Sequence, residues 1–217
     1  MNLSPPPAPS QEGNDFLFEG ATPVGVAPSS SLEMRFPQGA GDVSPQKNYA
    51  SSMAIAIDEA RAGMAAGHGG PFGAVVLQGA TIVGRGHNRV LSSHDPTAHA
   101  EVTALRDAAQ TLGTHVLSGC VLVTTCEPCP MCFSAAFWSR VDGIVYAATR
   151  HDAAAVGFDD AKLYDILGSK GREPFEKKII TPSGEGVGGG PFLLKIHTQA
   201  AVDLFAKWKN SDKKELY

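Results

Sequence analysis

Two short segments restrict this chain more than anything else in it. One is Pro96-Thr97-Ala98-His99-Ala100-Glu101, the other Cys126-Glu127-Pro128-Cys129-Pro130-Met131-Cys132. They supply one imidazole, a carboxylate two residues after it, and two thiols one helical turn apart. One imidazole with two thiolates is a borderline-soft donor set that suits tetrahedral zinc with its fourth position open. Residues three apart share a helix face, and the free N–H groups and dipole of a helix start favour thiolate. His99 and Glu101, and likewise Cys129 and Cys132, are expected in the first turns of two helices that start side by side. A thioredoxin-like Cys-x-x-Cys redox pair is the competing reading, and Cys126 with Cys129 has that spacing too. It leaves His99 and Glu101 without a role. Cys126 precedes the helix that Pro128 is expected to open, so it is not expected to be a ligand. Cys120 reads as a buried strand residue.

The chain around these segments has 217 residues, enough for one domain with a tail. Residues 1–46 form a composition of their own, with eight prolines among Ser and Gly, and read as a disordered tail. Asp15-Phe16-Leu17-Phe18-Glu19 is a possible docking motif inside it. Residues 47–217 read as the domain. Met53, Ile57, Ala60 and Met64 form one stripe of a first helix. Apolar runs at 72–77 and 81–83, split by Gly79-Ala80, predict a hairpin, followed by a loop over 85–93. Asp95-Pro96-Thr97 predicts a helix opening, with Val102, Leu105, Ala108 and Ala109 facing inward. A strand over 121–125 and a helix opened by Pro128, with Ala135, Ala136 and Val141 inward, come next. A strand over 144–148, a short helix over 159–167 and a possible strand over 178–181 follow. The last pair is a strand over 192–197 and a helix over 200–209 with Val202, Phe205 and Trp208 on one face. Strands alternating with helices predict an α/β fold, a three-layer α/β/α sandwich around a mixed five-stranded sheet.

His99-Ala100-Glu101 with Pro128-Cys129-Pro130-Met131-Cys132 resembles the H-x-E…P-C-x-x-C signature of zinc nucleobase deaminases. Gly69-Gly70-Pro71-Phe72-Gly73-Ala74-Val75, Asn88, Asp95 through Glu101, Gly157-Phe158-Asp159-Asp160 and Lys213-Lys214-Glu215-Leu216-Tyr217 are similar to the guanine deaminase branch. The resemblance spans about residues 48–217. It implies a cytidine-deaminase-like fold, one zinc per subunit on His99, Cys129 and Cys132, and hydrolysis of guanine to xanthine and ammonia. It implies Glu101 as the proton carrier and Asp160 as a second acid facing the substrate, although Asp159 competes for that place. It extends substrate contacts to Asn88, Phe72, Ala100, Trp138 and Tyr217. From the residues alone, Asn88 also fits a turn, Phe72 fits the core, Trp138 is either a pocket wall or a buried anchor, and Tyr217 also fits a frayed terminus. The resemblance further implies a homodimer whose C-terminal tail closes an active site, in some members the partner's.

Composition removes several other classes. The formal net charge is −4 with no basic stripe, which disfavours a nucleic-acid partner and favours a small-molecule substrate, a purine as the resemblance implies. The longest apolar runs are too short to span a membrane, and the N-terminus lacks a secretory or transit pattern. The cysteines number four, three of them within residues 126–132, which suits a reducing, cytoplasmic setting better than a disulfide framework. Guanosine deaminase, tRNA adenosine deaminase and an inactive zinc-structured binding module remain as alternatives. A purely structural zinc site has no need of Glu101.

Overall fold

The computed structural model describes residues 49–168, 191–212 and 214–217. The elements are α1 (Ala50–Ala66), β1 (Gly73–Gln78), β2 (Thr81–His87), α2 (Val90–Ser93), α3 (Ala100–Leu112) and β3 (Cys120–Cys126), then α4 (Pro130–Trp138), β4 (Gly143–Ala148), α5 (Arg150–Ala154), α6 (Asp160–Gly168), β5 (Phe192–Lys195) and α7 (Gln199–Lys209). The sheet has five strands in the order β2-β1-β3-β4-β5. β1 runs antiparallel to β2 and β3, while β3, β4 and β5 are parallel, so the sheet is mixed as expected.

Alternation along the strands makes the three layers. Ala74, Val76, Leu122 and Ile144 point to one face and pack on Ala104, Leu105, Ala108, Phe133 and Ala136 of α3 and α4. Val75, Leu77, Val121, Val123 and Val145 point to the other and pack on Met53, Ile57, Ala60, Ala201 and Leu204 of α1 and α7. β3 is buried along its whole length, as a central strand covered on both faces must be. A smaller aromatic cluster of Phe158, Phe205 and Trp208 closes over Cys126 and Ala148, the last residues of β3 and β4.

The structure corrects four boundaries. The segment from Arg85 is not a loop: β2 continues to His87. Gly84 and Gly86 are close-approach positions within it. A Cβ on Gly84 would stand 2.5 Å from the Ala104 carbonyl oxygen, and one on Gly86 would stand 2.6 Å from that of Ala100. The strand therefore lies directly on the backbone of α3. Gly86→Ala is expected to destabilise the zinc-loaded protein by about 3 kcal/mol, the upper range for overpacking, and to lower Tm by roughly 6–12 °C. An unchanged Tm would contradict that packing account.

The second correction is at α3. Asp95-Pro96-Thr97 does not open the helix. Asp95 Oδ1 accepts hydrogen bonds from Thr97 N (2.8 Å) and Thr97 Oγ1 (2.7 Å), which makes a local turn. The helix begins at Ala100, with His99 as its N-cap. The third is at α4, which begins at Pro130 rather than Pro128, with Cys129 as its N-cap. The short helices α2 and α5 have too few residues to show a period. The last strand ends at Lys195, earlier than expected. The expected tail over 1–46 and strand over 178–181 lie outside the described residues. Among the described residues, no helix is long and apolar enough to cross a membrane.

Candidate metal centre and active site

Two helix N-termini meet beyond the carboxyl end of β3, where open α/β sheets commonly place their ligands. His99 has φ −65° and ψ 158°, and Cys129 has φ −66° and ψ 165°. Each is the extended N-cap of its helix, one residue before the first turn in which both were expected. Glu101 and Cys132 do fall in first turns. His99 Nδ1 lies 3.5 Å from Cys132 Sγ and 3.7 Å from Cys129 Sγ. A tetrahedral zinc with Zn–S of about 2.3 Å and Zn–N of about 2.0–2.1 Å separates sulfur from nitrogen by about 3.5 Å. The donor set therefore fits the ion in both chemistry and spacing. Among the described residues, His99, Cys129 and Cys132 are the group able to hold a metal. Cys126 points elsewhere, its thiol 3.6 Å from the Thr149 carbonyl oxygen.

Electrostatics separate the thiols. Hydrogen bonding from Cys132, then from His99, lowers Cys129 to about 4. Cys132 is driven well upward, first by that bond to Cys129 and then by burial. Burial opposes charge on His99, but the bond to Cys129 and its thiolate charge prevail and raise it. Cys126 is raised by burial and reads as an inert thiol.

Glu101 is buried beside the ligands. Thr124 Oγ1 donates to its Oε1 at 3.2 Å, and Cys132 Sγ lies 3.4 Å from its Oε2. Burial, then the Cys129 charge, raises its pKa. Asp160, first residue of α6, is raised to about 6 by burial and then by the same thiolate charge. Asp159 is half-exposed and salt-bridged to Lys162 at 2.6 Å, whereas Asp160 is partly buried and, of the charges acting on it, those of Cys129 and His99 are the largest.

The remaining expected contacts divide. Asn88 is buried directly after β2. Its Oδ1 accepts from Gly70 N (3.3 Å) and Val90 N (3.2 Å), which fixes the amide orientation and leaves Nδ2 buried without a hydrogen-bond partner among the described residues. Tyr217 lies against Gly70, its hydroxyl accepting from Gly70 N at 3.3 Å. Phe72 packs edge-on against Phe158 (4.9 Å) and Phe205 (5.7 Å). A Cβ on Gly70 would meet Tyr217, Phe158 and Phe72 all within 2.9 Å, so these three rings converge beside Asn88. Ala100 is fully buried as the first helical residue of α3, between His99 and Glu101. Trp138 is 75% exposed, against Phe137, so it is not a buried anchor. It sits at the far end of α4 from Cys129, about 13 Å along the helix axis.

Four residues around the site escaped the sequence reading. Thr124 shares a sheet face with Leu122, so alternation along β3 was the available signal for its contact with Glu101. Glu127 is only 7% exposed and is salt-bridged to Arg150 at 2.9 Å. Tyr164 Oη donates to the Pro128 carbonyl at 2.5 Å. An acid inside Cys-Glu-Pro-Cys was a hint for Glu127; nothing local marked Arg150 or Tyr164.

Residues 46–148 match the family described as the cytidine and deoxycytidylate deaminase zinc-binding region. The chain is 44% identical over 170 residues to guanine deaminase of Bacillus subtilis (strain 168), across 78% of this chain and 99% of that protein. The X-ray structure of guanine deaminase from Bacillus subtilis superposes with a TM-score of 0.53 at 40% identity, covering 79% of this chain and 99% of that one. A guanine deaminase structure from Nitrosomonas europaea superposes with a TM-score of 0.61 at 31% identity, covering 74% and 84%.

Proposed function

The chain belongs to the guanine deaminase branch of the zinc-dependent cytidine and deoxycytidylate deaminase family, and we propose that it hydrolyses guanine to xanthine and ammonia. The observation that carries this reading is the match along 99% of the Bacillus subtilis guanine deaminase. The buried Glu101 beside an intact His99, Cys129 and Cys132 set supports it.

His99, Cys129 and Cys132 would hold the zinc, which when bound lowers the pKa of a water to about 7 and so supplies a nucleophile at neutral pH. The chain's own groups then account for the protons. The water oxygen adds at C2 of guanine, and Glu101 takes the proton released. Glu101 returns that proton to the ring nitrogen beside C2. The remaining proton, that of the new C2 hydroxyl, is passed to the exocyclic amine, which leaves as ammonia as the C2–N bond breaks and the C2 carbonyl of xanthine forms. Asp160, with a pKa of about 6, is poised near neutrality to carry that proton, as general acid–base work requires.

Asn88 reads the purine edge in this account. Its orphaned Nδ2 supports the role, since an unsatisfied buried donor costs about 1–3 kcal/mol and a purine acceptor relieves it. Asn88→Ala is expected to lower kcat/KM for guanine by about 10²-fold with zinc content unchanged. Steady-state kinetics check this, and an unchanged kcat/KM would remove Asn88 from the site. Phe72 and Tyr217 form the apolar wall in the same account, with the tail as lid. The enzyme acts in the cytoplasm as a homodimer, and light scattering giving the mass of one chain at micromolar concentration would contradict the dimer. Residues 1–46 are a dispensable tail, so a chain lacking them is expected to keep full turnover.

A further inference from the structure

The helix that carries Asp160 has little apolar grip on the domain. Of its side chains, Leu163 is 45% exposed, Ile166 68% and Leu167 61%. Tyr164 is different: it lies one helical turn beyond Asp160, on the same face of α6. Its hydroxyl donates at 2.5 Å to the carbonyl of Pro128, the residue directly before the ligand Cys129. The Arg150 guanidinium covers its ring, 4.1 Å from the centroid. Arg150 in turn holds Glu127 twice, by an ion pair at 2.9 Å and through its backbone N–H at 3.0 Å. Glu127 N donates to the Ala148 carbonyl at 2.8 Å, tying the segment to the end of β4. Glu127 and Pro128 are thus gripped from α5 and α6 immediately before the chain turns into Cys129.

We propose that Tyr164 is a positioning residue for the deamination: its hydroxyl fastens α6 to the Pro128 carbonyl and so fixes Asp160 over the ligand cluster. Arg150 serves the same end by clamping the Tyr164 ring against the segment that Glu127 anchors. Tyr164 itself touches neither the reacting atoms nor the metal ligands' donor atoms. A 1 Å displacement of a group in the site is enough to cost about 10²-fold in rate. Loss of the bond from Tyr164 to the Pro128 carbonyl is therefore large in effect.

The inference rests on guanine hydrolysis with Asp160 as a proton carrier, and its test is a double-mutant cycle on the zinc-loaded full chain. Tyr164→Phe keeps the ring and its cation–π contact and removes only the hydroxyl. It is expected to lower kcat for guanine by about 10- to 100-fold, with KM and zinc content little changed. On an Asp160→Asn background the same change is expected to cost less than about twofold, because there is no carboxylate left to position. An equal loss in both backgrounds, or no loss in the parent, overturns the proposal. Hydrogen exchange gives a reading independent of turnover: amides of residues 160–168 are expected to exchange about three- to tenfold faster in Tyr164→Phe, and unchanged exchange also overturns it. If the parent protein does not turn over guanine, the functional reading fails, while exchange still tests the clamp.

Discussion

Glu101→Ala is expected to lower kcat for guanine by about 10²–10⁴-fold while zinc content and fold persist. The side chain is 4% exposed, and burial raises its pKa, so its charged form is held in the domain at a cost. Removing it loses the bonds with Thr124 and Cys132, about 1 kcal/mol each, and also relieves the burial of a carboxyl group. Tm is therefore expected to stay close to the parent's or to rise. Glu101→Gln keeps the shape and can still accept from Thr124, but it cannot take a proton. An equal rate loss in that variant assigns the effect to chemistry rather than packing. Retention of a tenth of the parent rate by Glu101→Gln would remove Glu101 as the proton carrier.

The second large effect is on the metal. Cys132→Ala, or chelation of the parent protein, is expected to abolish turnover and to lower Tm by roughly 8–16 °C. A ligand present at about 1,000 times its Kd and bound only by the folded state contributes about 4 kcal/mol, and each kcal/mol moves Tm by about 2–4 °C at this size. Without the ion, the imidazole and two thiols stand within 4.8 Å of one another with no cation to bring them together. Both thiols must be deprotonated to bind, so zinc occupancy is expected to fall as pH falls. Elemental analysis and thermal melts of parent, chelated and variant protein check this. A chelated protein with unchanged Tm and activity would show that the cluster does not hold a working metal.

How much of this was legible in the sequence depended on the range of the signal. The ligand set was readable because all its residues lie in two short segments and their chemistry is unusual. The three-layer sheet was readable because the apolar runs of β1, β3 and β4 and the stripe on α1 are local patterns. Helix starts were not. Asp95 spends its side chain on the Thr97 turn, and this displaces the opening of α3 to Ala100. The segment from Arg85 was misread as a loop because what holds Gly84 and Gly86 in the strand is the backbone of α3, which is remote in sequence. The support around the site was hidden for the same reason. Tyr164 and Pro128 are 36 residues apart, and Glu127 and Arg150 are 23 apart. No local periodicity records such contacts. Of the two readings left open for Trp138, pocket wall or buried anchor, the exposed position at the helix's far end removes the buried anchor, which nothing in the local sequence could decide.

Ammonia release by the zinc-loaded protein, measured in parallel with guanine, guanosine, adenine, cytosine and cytidine, tests the central claim most directly. The account predicts release from guanine, with xanthine formed in equal amount, and none from the other four. Release from guanosine in place of guanine, or from none of the five, would contradict it.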